Sequence, residues 1–263
     1  MQAILLTAGL SSRFVPFRDL PHKSAFKIMG KMLIEYTIES IRKSEINDII
    51  VVVSHDSSIP NLLGNGDKYG VSIQYAYQKD STGMGGAILS ARELITAPRF
   101  FVLHPYHIDF YEYKAELEQH DGVVLLSKPQ SDISEYGNLV MDGDRVTDVI
   151  EKSQDSTNGD KNRIIGIYLL NQEFIKTLEN TSLEHYQFEN ALAIFVKSNI
   201  THAVKIQENN ISLKYTWNLF QLKNYLLESL ESYKSDSADI KQNVIIEGNV
   251  VISDGERMIE GAI

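Results

Sequence analysis

Gly9-Leu10-Ser11-Ser12-Arg13 puts a glycine, two hydroxyls and a guanidinium into one turn after the apolar run AILLTA. Glycine allows close backbone approach, successive exposed N–H groups form an anion-binding nest, and arginine presents a planar fork of donors. Lys23, in Pro21-His22-Lys23-Ser24, adds a second cation. Together these types hold phosphate oxygens. A Gly-Ser turn after a strand is common on its own, and a single lysine is ordinarily a surface residue, so the reading rests on the combination.

The elements around this segment are those that position such a loop. Strand-like runs alternate with helix-like ones: AILLTAG, LIEYTIESIRKS, DIIVVVS, SIQYAY, MGGAILSARELI and RFFVLHP. That order predicts βαβ units and an α/β fold around a mostly parallel sheet. Residues 49–53 and 100–103 are continuously apolar, as central strands covered on both faces must be. Residues 1–39 then form a strand, a phosphate-holding loop and a helix. Further on, DGVVLLSKP reads as a buried strand, Asp142-Gly143 marks a hairpin, 153–162 is a polar loop, and 174–197 is helical. Leu219, Leu222, Leu226, Leu227 and Leu230 give 217–232 one apolar helical face.

The tail differs. After a polar break at 234–239, Val244, Ile246, Val250, Ile252 and Ile259 recur with Gly and Asn between them, at the roughly six-residue spacing of a parallel β-helix. An ordinary hairpin is the alternative. The expected division is a main domain over 1–233, then a linker and first β-helix-like coil over 234–263. One coil cannot bury its own face, so either the chain belongs to a longer one or the tail packs on the main domain.

Composition removes several function classes. A formal net charge of −10 argues against duplex nucleic acid and anionic membranes as partners, while leaving a small phosphorylated ligand open. The absence of cysteine rules out a disulfide framework, a thiolate nucleophile and a cysteine-ligated zinc. With no basic, cleavable leader and no long apolar run, the expected location is the cytoplasm.

The segment LLTAGLSSRFVPFRDLPHKSAFKIMGKMLIEYTIE, residues 5–39, resembles the signature of the sugar-phosphate nucleotidyltransferases, with Met32 where that family usually has proline. Tyr77-Gln78 and Gly83-Met84-Gly85-Gly86-Ala87 resemble its base-reading glutamine and the glycine turn that follows. Tyr136-Gly137, Glu151-Lys152 and Gly166-Ile167-Tyr168 resemble its sugar-side elements. The resemblance implies a Rossmann-like domain that takes a nucleoside triphosphate and a sugar 1-phosphate as partners, with a left-handed β-helix in many members and a homo-oligomer compatible with it. Arg13 and Lys23 are then the catalytic cations. Gly9, Ser11, Ser12, Gln78 and Gly83 bind nucleotide, and Gly137, Glu151, Lys152 and Tyr168 meet the sugar phosphate.

The same resemblance implies Mg2+ in an active member, and here the pattern breaks. Tyr106 stands where the family places its first metal-binding aspartate, and Asn218 follows Trp217 where the second is expected. Asp109 is the substitute ligand within reach of a loop shift. Asn190 likewise replaces a common aspartate. His104 and His107 flank Pro105 and lack a third ligand at suitable spacing, so they do not read as a zinc pair. Two functions follow: nucleotidyl transfer to a sugar 1-phosphate, or a catalytically impaired relative that binds nucleotide or nucleotide sugar. A doubly wound fold with another phosphate ligand is a third.

Overall fold

The computed structural model describes residues 1–263 apart from 18–19, 21, 130–136, 152–161, 185, 208–211, 230–231, 243, 247, 249 and 259–263, and describes only the backbone of Glu151. Two compact units are present, Met1–Lys214 and Tyr215–Ile263. The first unit therefore ends ahead of the amphipathic segment that the sequence reading places inside a domain 1–233.

The first unit begins with β1 (Gln2–Leu6), the short hairpin β2 (Lys27–Ile28) and β3 (Lys31–Met32), α1 (Leu33–Lys43), β4 (Asp48–Ser54), α2 (Ile59–Leu63), β5 (Ser72–Gln78), α3 (Gly83–Ser90) and β6 (Arg99–Leu103). It continues through α4 (Phe110–Glu118), β7 (Val123–Pro129), β8 (Gly137–Asp142), β9 (Arg145–Glu151), β10 (Asn162–Asn171), α5 (Gln172–Glu179), α6 (Gln187–Ser198) and β11 (Thr201–Lys205). The stretch read as helical over 174–197 holds two helices: Asn171 caps the start of α5, which ends at Glu179, and α6 begins at Gln187.

Among the described residues one sheet has the order β5-β4-β1-β6-β10-β7-β11-β9-β8. β5, β4, β1 and β6 run parallel, as the βαβ alternation requires. β10 is antiparallel to both β6 and β7, which makes the whole sheet mixed. Successive strand residues serve opposite faces. Leu5, Val51 and Phe101 pack with Ile34, Ile38 and Ile41 of α1 and with Phe110 and Leu117 of α4. Ile4, Val52 and Val102 pack with Ile88 of α3, Phe174 of α5 and Leu192 of α6. A layer of helix therefore covers each face of an α/β unit, and burial of both faces explains the unbroken apolar runs of β4 and β6.

The connection from β1 through α1 to β4 lies on one face, and that from β5 through α3 to β6 lies on the other. The strand order reverses between β1 and β6. In open α/β sheets the crevice at the carboxyl ends of strands beside such a reversal is where ligands bind.

β8 and β9 form the hairpin expected from Asp142-Gly143, with Gly143-Asp144 as the turn and Gly143 at φ 65. In the second unit, α7 (Asn218–Glu228) precedes β12 (Tyr233–Lys234), β13 (Asp239–Ile240), β14 (Val251–Ile252) and β15 (Arg257–Met258). Tyr233 pairs in parallel with Val251, and Asp239 with Arg257. Among the described residues, no helix is long and apolar enough to cross a membrane.

Candidate functional site

The carboxyl ends of β1, β5 and β6 deliver Gly9, Gln78 and the segment His104–Tyr106 to one cleft of about 230 Å³, which Lys23 and Gly83 also line. A second cavity of about 180 Å³ is lined by Ser11, Ser12, Arg13, Phe14, Lys23 and Lys214. Ser11 and Lys23 belong to both, so the two cavities meet at the loop after β1. One offers an amide and a glycine turn. Its neighbour offers two hydroxyls and three cations.

Local chemistry fixes the loop. Ser11 adopts φ 50, in the left-handed region that non-glycine residues rarely enter, and its Oγ accepts from the Lys23 backbone N–H at 3.0 Å. Phe14 is fully buried and packs with Phe17 and Phe26, ring centroids 6.0 Å away in each case. That aromatic clamp joins the arginine-bearing turn to the lysine-bearing one. His22 accepts from the Ser24 N–H at 3.2 Å and so caps the 3-10 turn Lys23–Ala25. Across the cleft, the Gln78 side-chain N–H2 donates to the Gly83 carbonyl at 3.2 Å and to Thr82 Oγ1 at 3.3 Å, which leaves Oε1 as the acceptor. A side chain at Gly86 would overlap Thr82, so this glycine is required for α3 to start so close to Gln78.

The Lys23 ammonium donates to the Leu213 carbonyl and lies 5.0 Å from the centre of the Tyr106 ring. Burial, and then repulsion from Arg13, lowers its pKa from 10.5 to about 8. Burial also lowers His22 to about 3, with Lys23 contributing, and His104 to about 3, with His107, Lys23 and His22 contributing. Both imidazoles are neutral at pH 7. An unfolded chain binds protons at these histidines as pH falls below 6.5, whereas the folded chain does so only near 3. The associated stability is therefore fully present above 6.5 and is lost on acidification, by up to ~1.4 kcal/mol per pH unit for each proton taken up on unfolding. Thermal unfolding at pH 7 and pH 5 is expected to give a lower midpoint at pH 5, with a smaller difference in His22→Gln. Equal midpoints would contradict the neutral assignment.

Of the residues singled out in the sequence, Gly9, Ser11, Ser12, Arg13, Lys23, Gln78, Gly83 and Tyr106 are brought together in these cavities. Gly137 and Glu151 pair with each other at the open end of the β8–β9 hairpin. Lys152 lies outside the described residues. Tyr168 packs in the core, edge-on to Phe188 at 5.0 Å. Asp109 is 1% exposed at the start of α4, and its Oδ2 accepts from the Tyr113 hydroxyl at 3.1 Å, so it faces the core. Asn218 belongs to the second unit, where its Oδ1 accepts from the Tyr215 N–H at 2.8 Å. Lys214 and His22 line the cavities and the phenylalanine clamp joins their loops, and the sequence reading selected none of these. Lys214 has no local signal, since only tertiary structure brings it to Arg13.

The sequence profile of nucleotidyl transferases matches residues 2–218. This chain belongs to the nucleotidyl transferase family. Among relatives, it is 26% identical to a bifunctional sugar-1-phosphate nucleotidylyltransferase/acetyltransferase of Sulfurisphaera tokodaii, over 99% of this chain and 64% of that protein. It is 23% identical to the bifunctional protein GlmU of Methanocaldococcus jannaschii, over 97% of this chain and 61% of that protein. The chain thus spans less than two thirds of these relatives. A UTP-bound UGPase from Acinetobacter baumannii superposes with a TM-score of 0.73 at 20% identity, over 86% of this chain and 93% of that one. At that identity the likeness is one of fold, and it places this nucleotidyl transferase among Rossmann-like domains.

Proposed function

We propose that this chain transfers a nucleotidyl group from a nucleoside triphosphate to a sugar 1-phosphate, giving a nucleotide sugar and pyrophosphate. The observation that carries the reading is the continuity of the two cavities through Ser11 and Lys23. The base sits by Gln78, whose Oε1 accepts an N–H from its edge, and the phosphates extend past Lys23 toward Arg13 and Lys214. A sugar-phosphate oxygen attacks the α-phosphorus while the bond to the bridging oxygen of the β-phosphate breaks. Pyrophosphate leaves with that electron pair. Arg13, Lys23 and Lys214 bind the equatorial and leaving oxygens, where charge accumulates in the transition state. The open end of the β8–β9 hairpin, with Gly137 and Glu151, is the proposed side for the sugar, and the chain continues from it to Lys152, the cation the resemblance assigns to the sugar phosphate.

Magnesium is the cofactor implied by resemblance, and the donors present do not suit it. Mg2+ selects hard oxygen ligands, carboxylates above all. Among the described residues lining the two cavities there is no carboxylate. Tyr106 stacks its ring under Lys23, and the Asn218 carbonyl oxygen is held by the Tyr215 N–H. Charge neutralisation is therefore assigned to the three side-chain cations. The same lack of carboxylates favours a second reading, a nucleotide-binding module without turnover. We further propose that the tail is the first coil of a β-helix, since the pairs at 233 with 251 and 239 with 257 return after 18 residues, three faces of six.

Pyrophosphate release decides between the readings. The chain is incubated with each nucleoside triphosphate and a panel of sugar 1-phosphates, with Mg2+ or with EDTA. Release that depends on the sugar phosphate, and that falls on Arg13→Ala, is the expected result. Nucleotide binding without release selects the binding module, and no binding at all removes the assignment of the cleft.

A further inference from the structure

We infer that His120, Asp144 and His202 form a divalent transition-metal site, suited to Zn2+, at the sheet edge opposite the nucleotide cleft. His120 lies in the turn between α4 and β7, three residues before Val123, His202 lies at the start of β11, and Asp144 occupies the β8–β9 turn. β7 is parallel to β11 and, because β10 is antiparallel to both, runs in the same sense as β6. The beginnings of β7 and β11 therefore lie at the edge away from the carboxyl ends of β1, β5 and β6. Nucleotidyl transfer makes no use of these three side chains.

The geometry is that of a metal shell. His202 Nδ1 is 3.1 Å from Asp144 Oδ2, His120 Nδ1 is 3.6 Å from the same oxygen, and all three ligand atoms fall within 4.8 Å of one another. Zn2+ bonds of about 2.0–2.1 Å in a tetrahedron separate ligand atoms by roughly 3.3 Å, so small side-chain rotations suffice to close the site. Two imidazoles and one carboxylate favour Zn2+ over Mg2+ or Ca2+, which prefer all-oxygen shells. The side chains are 26%, 59% and 22% exposed, which leaves room for water as the fourth ligand.

The backbone around the cluster is already held. The Arg99 guanidinium donates to the His120 carbonyl at 2.7 Å, and the Ala203 N–H donates to the Asp144 carbonyl at 2.8 Å. Three separate chain segments supply the ligands, so a bound metal ties the hairpin turn to the central sheet. It acts as a staple.

The test uses the untagged chain, stripped with EDTA and titrated with ZnCl2 in a calorimeter, with MgCl2 as the control. One Zn2+ per chain with a micromolar or tighter Kd, no response to Mg2+, and a thermal midpoint raised by Zn2+ are expected. Asp144→Asn and His202→Ala are each expected to weaken binding at least about tenfold, while His55→Ala, from the exposed His55–Asp56 pair, leaves it unchanged. The metal-free midpoint of each variant reports on folding, and His202→Gln replaces the alanine form if that midpoint falls. Absence of Zn2+ binding, or binding unaltered in a folded His120→Gln/His202→Gln double variant, overturns the site. Pyrophosphate release plays no part in this readout, so the outcome is independent of the transfer reaction.

Discussion

Replacing Lys23 by alanine is expected to cut pyrophosphate release by about 10²–10³-fold, the usual cost of removing one group that stabilises transition-state charge. Among the described residues Lys23 is the one cation that lines both cavities, so the proposed nucleotide would meet it where the two join. Its ammonium is held by one carbonyl and the face of Tyr106, with no carboxylate partner among the described residues. Such a charge is costly to bury, which is why its pKa falls to about 8. Two further signatures separate a functional lysine from a structural one. The thermal midpoint of Lys23→Ala in the absence of nucleotide is expected to match or exceed that of the parent chain, because a strained charge is removed. Triphosphate affinity of the parent chain is expected to fall as pH rises through 8, where Lys23 loses its proton, and this slope is expected to vanish in the variant. A thermal melt reads the first, and isothermal titration from pH 7 to pH 9 reads the second. A variant that binds triphosphate like the parent sinks the assignment.

The legible part of this molecule was its local chemistry. The strand, glycine turn and helix of residues 1–39 are specified by neighbours in sequence, and the turns that carry Ser11, Arg13 and Lys23 are joined by the Ser11–Lys23 hydrogen bond and the phenylalanine clamp. The alternating apolar runs likewise specify an α/β unit. What sequence reading missed depends on long-range approach. Lys214 reaches the cavity beside Arg13 from the far end of the unit. His120, Asp144 and His202 converge only because β11 inserts between β7 and β9. Asp109 shows the opposite limit: a position three residues beyond Tyr106 of the cleft segment is buried, with its carboxylate turned to the Tyr113 hydroxyl of α4. Tyr168 was read as sugar-side, but its place on β10 directs the ring into the apolar layer.

Gly166→Ala is expected to damage both stability and nucleotide binding, and to do so through His104. Gly166 sits between Ile164 and Tyr168, where the register of β10 with β7 slips, and its carbonyl accepts from the His104 N–H at 3.1 Å. A methyl group there would overlap the His104 ring, so glycine is required by the close approach of a neighbouring side chain. Relief can come only by moving that ring. It lies nearly parallel to Tyr106, 5.5 Å between centres and 7° between planes, and Tyr106 in turn carries the Lys23 ammonium on its face. The push is therefore transmitted to Lys23, the cation proposed to meet the phosphates. Overpacking of this kind costs about 1–3 kcal/mol, readable as a lower denaturation midpoint in urea with the slope unchanged. Adding His104→Ala removes the obstructing ring. The double variant Gly166→Ala/His104→Ala is thus expected to be more stable than the sum of the single changes allows, since the two residues touch. Strict additivity would show that Gly166 is needed for its own backbone and not for the ring it accommodates, and the path from β10 to Lys23 would then be broken at its first contact.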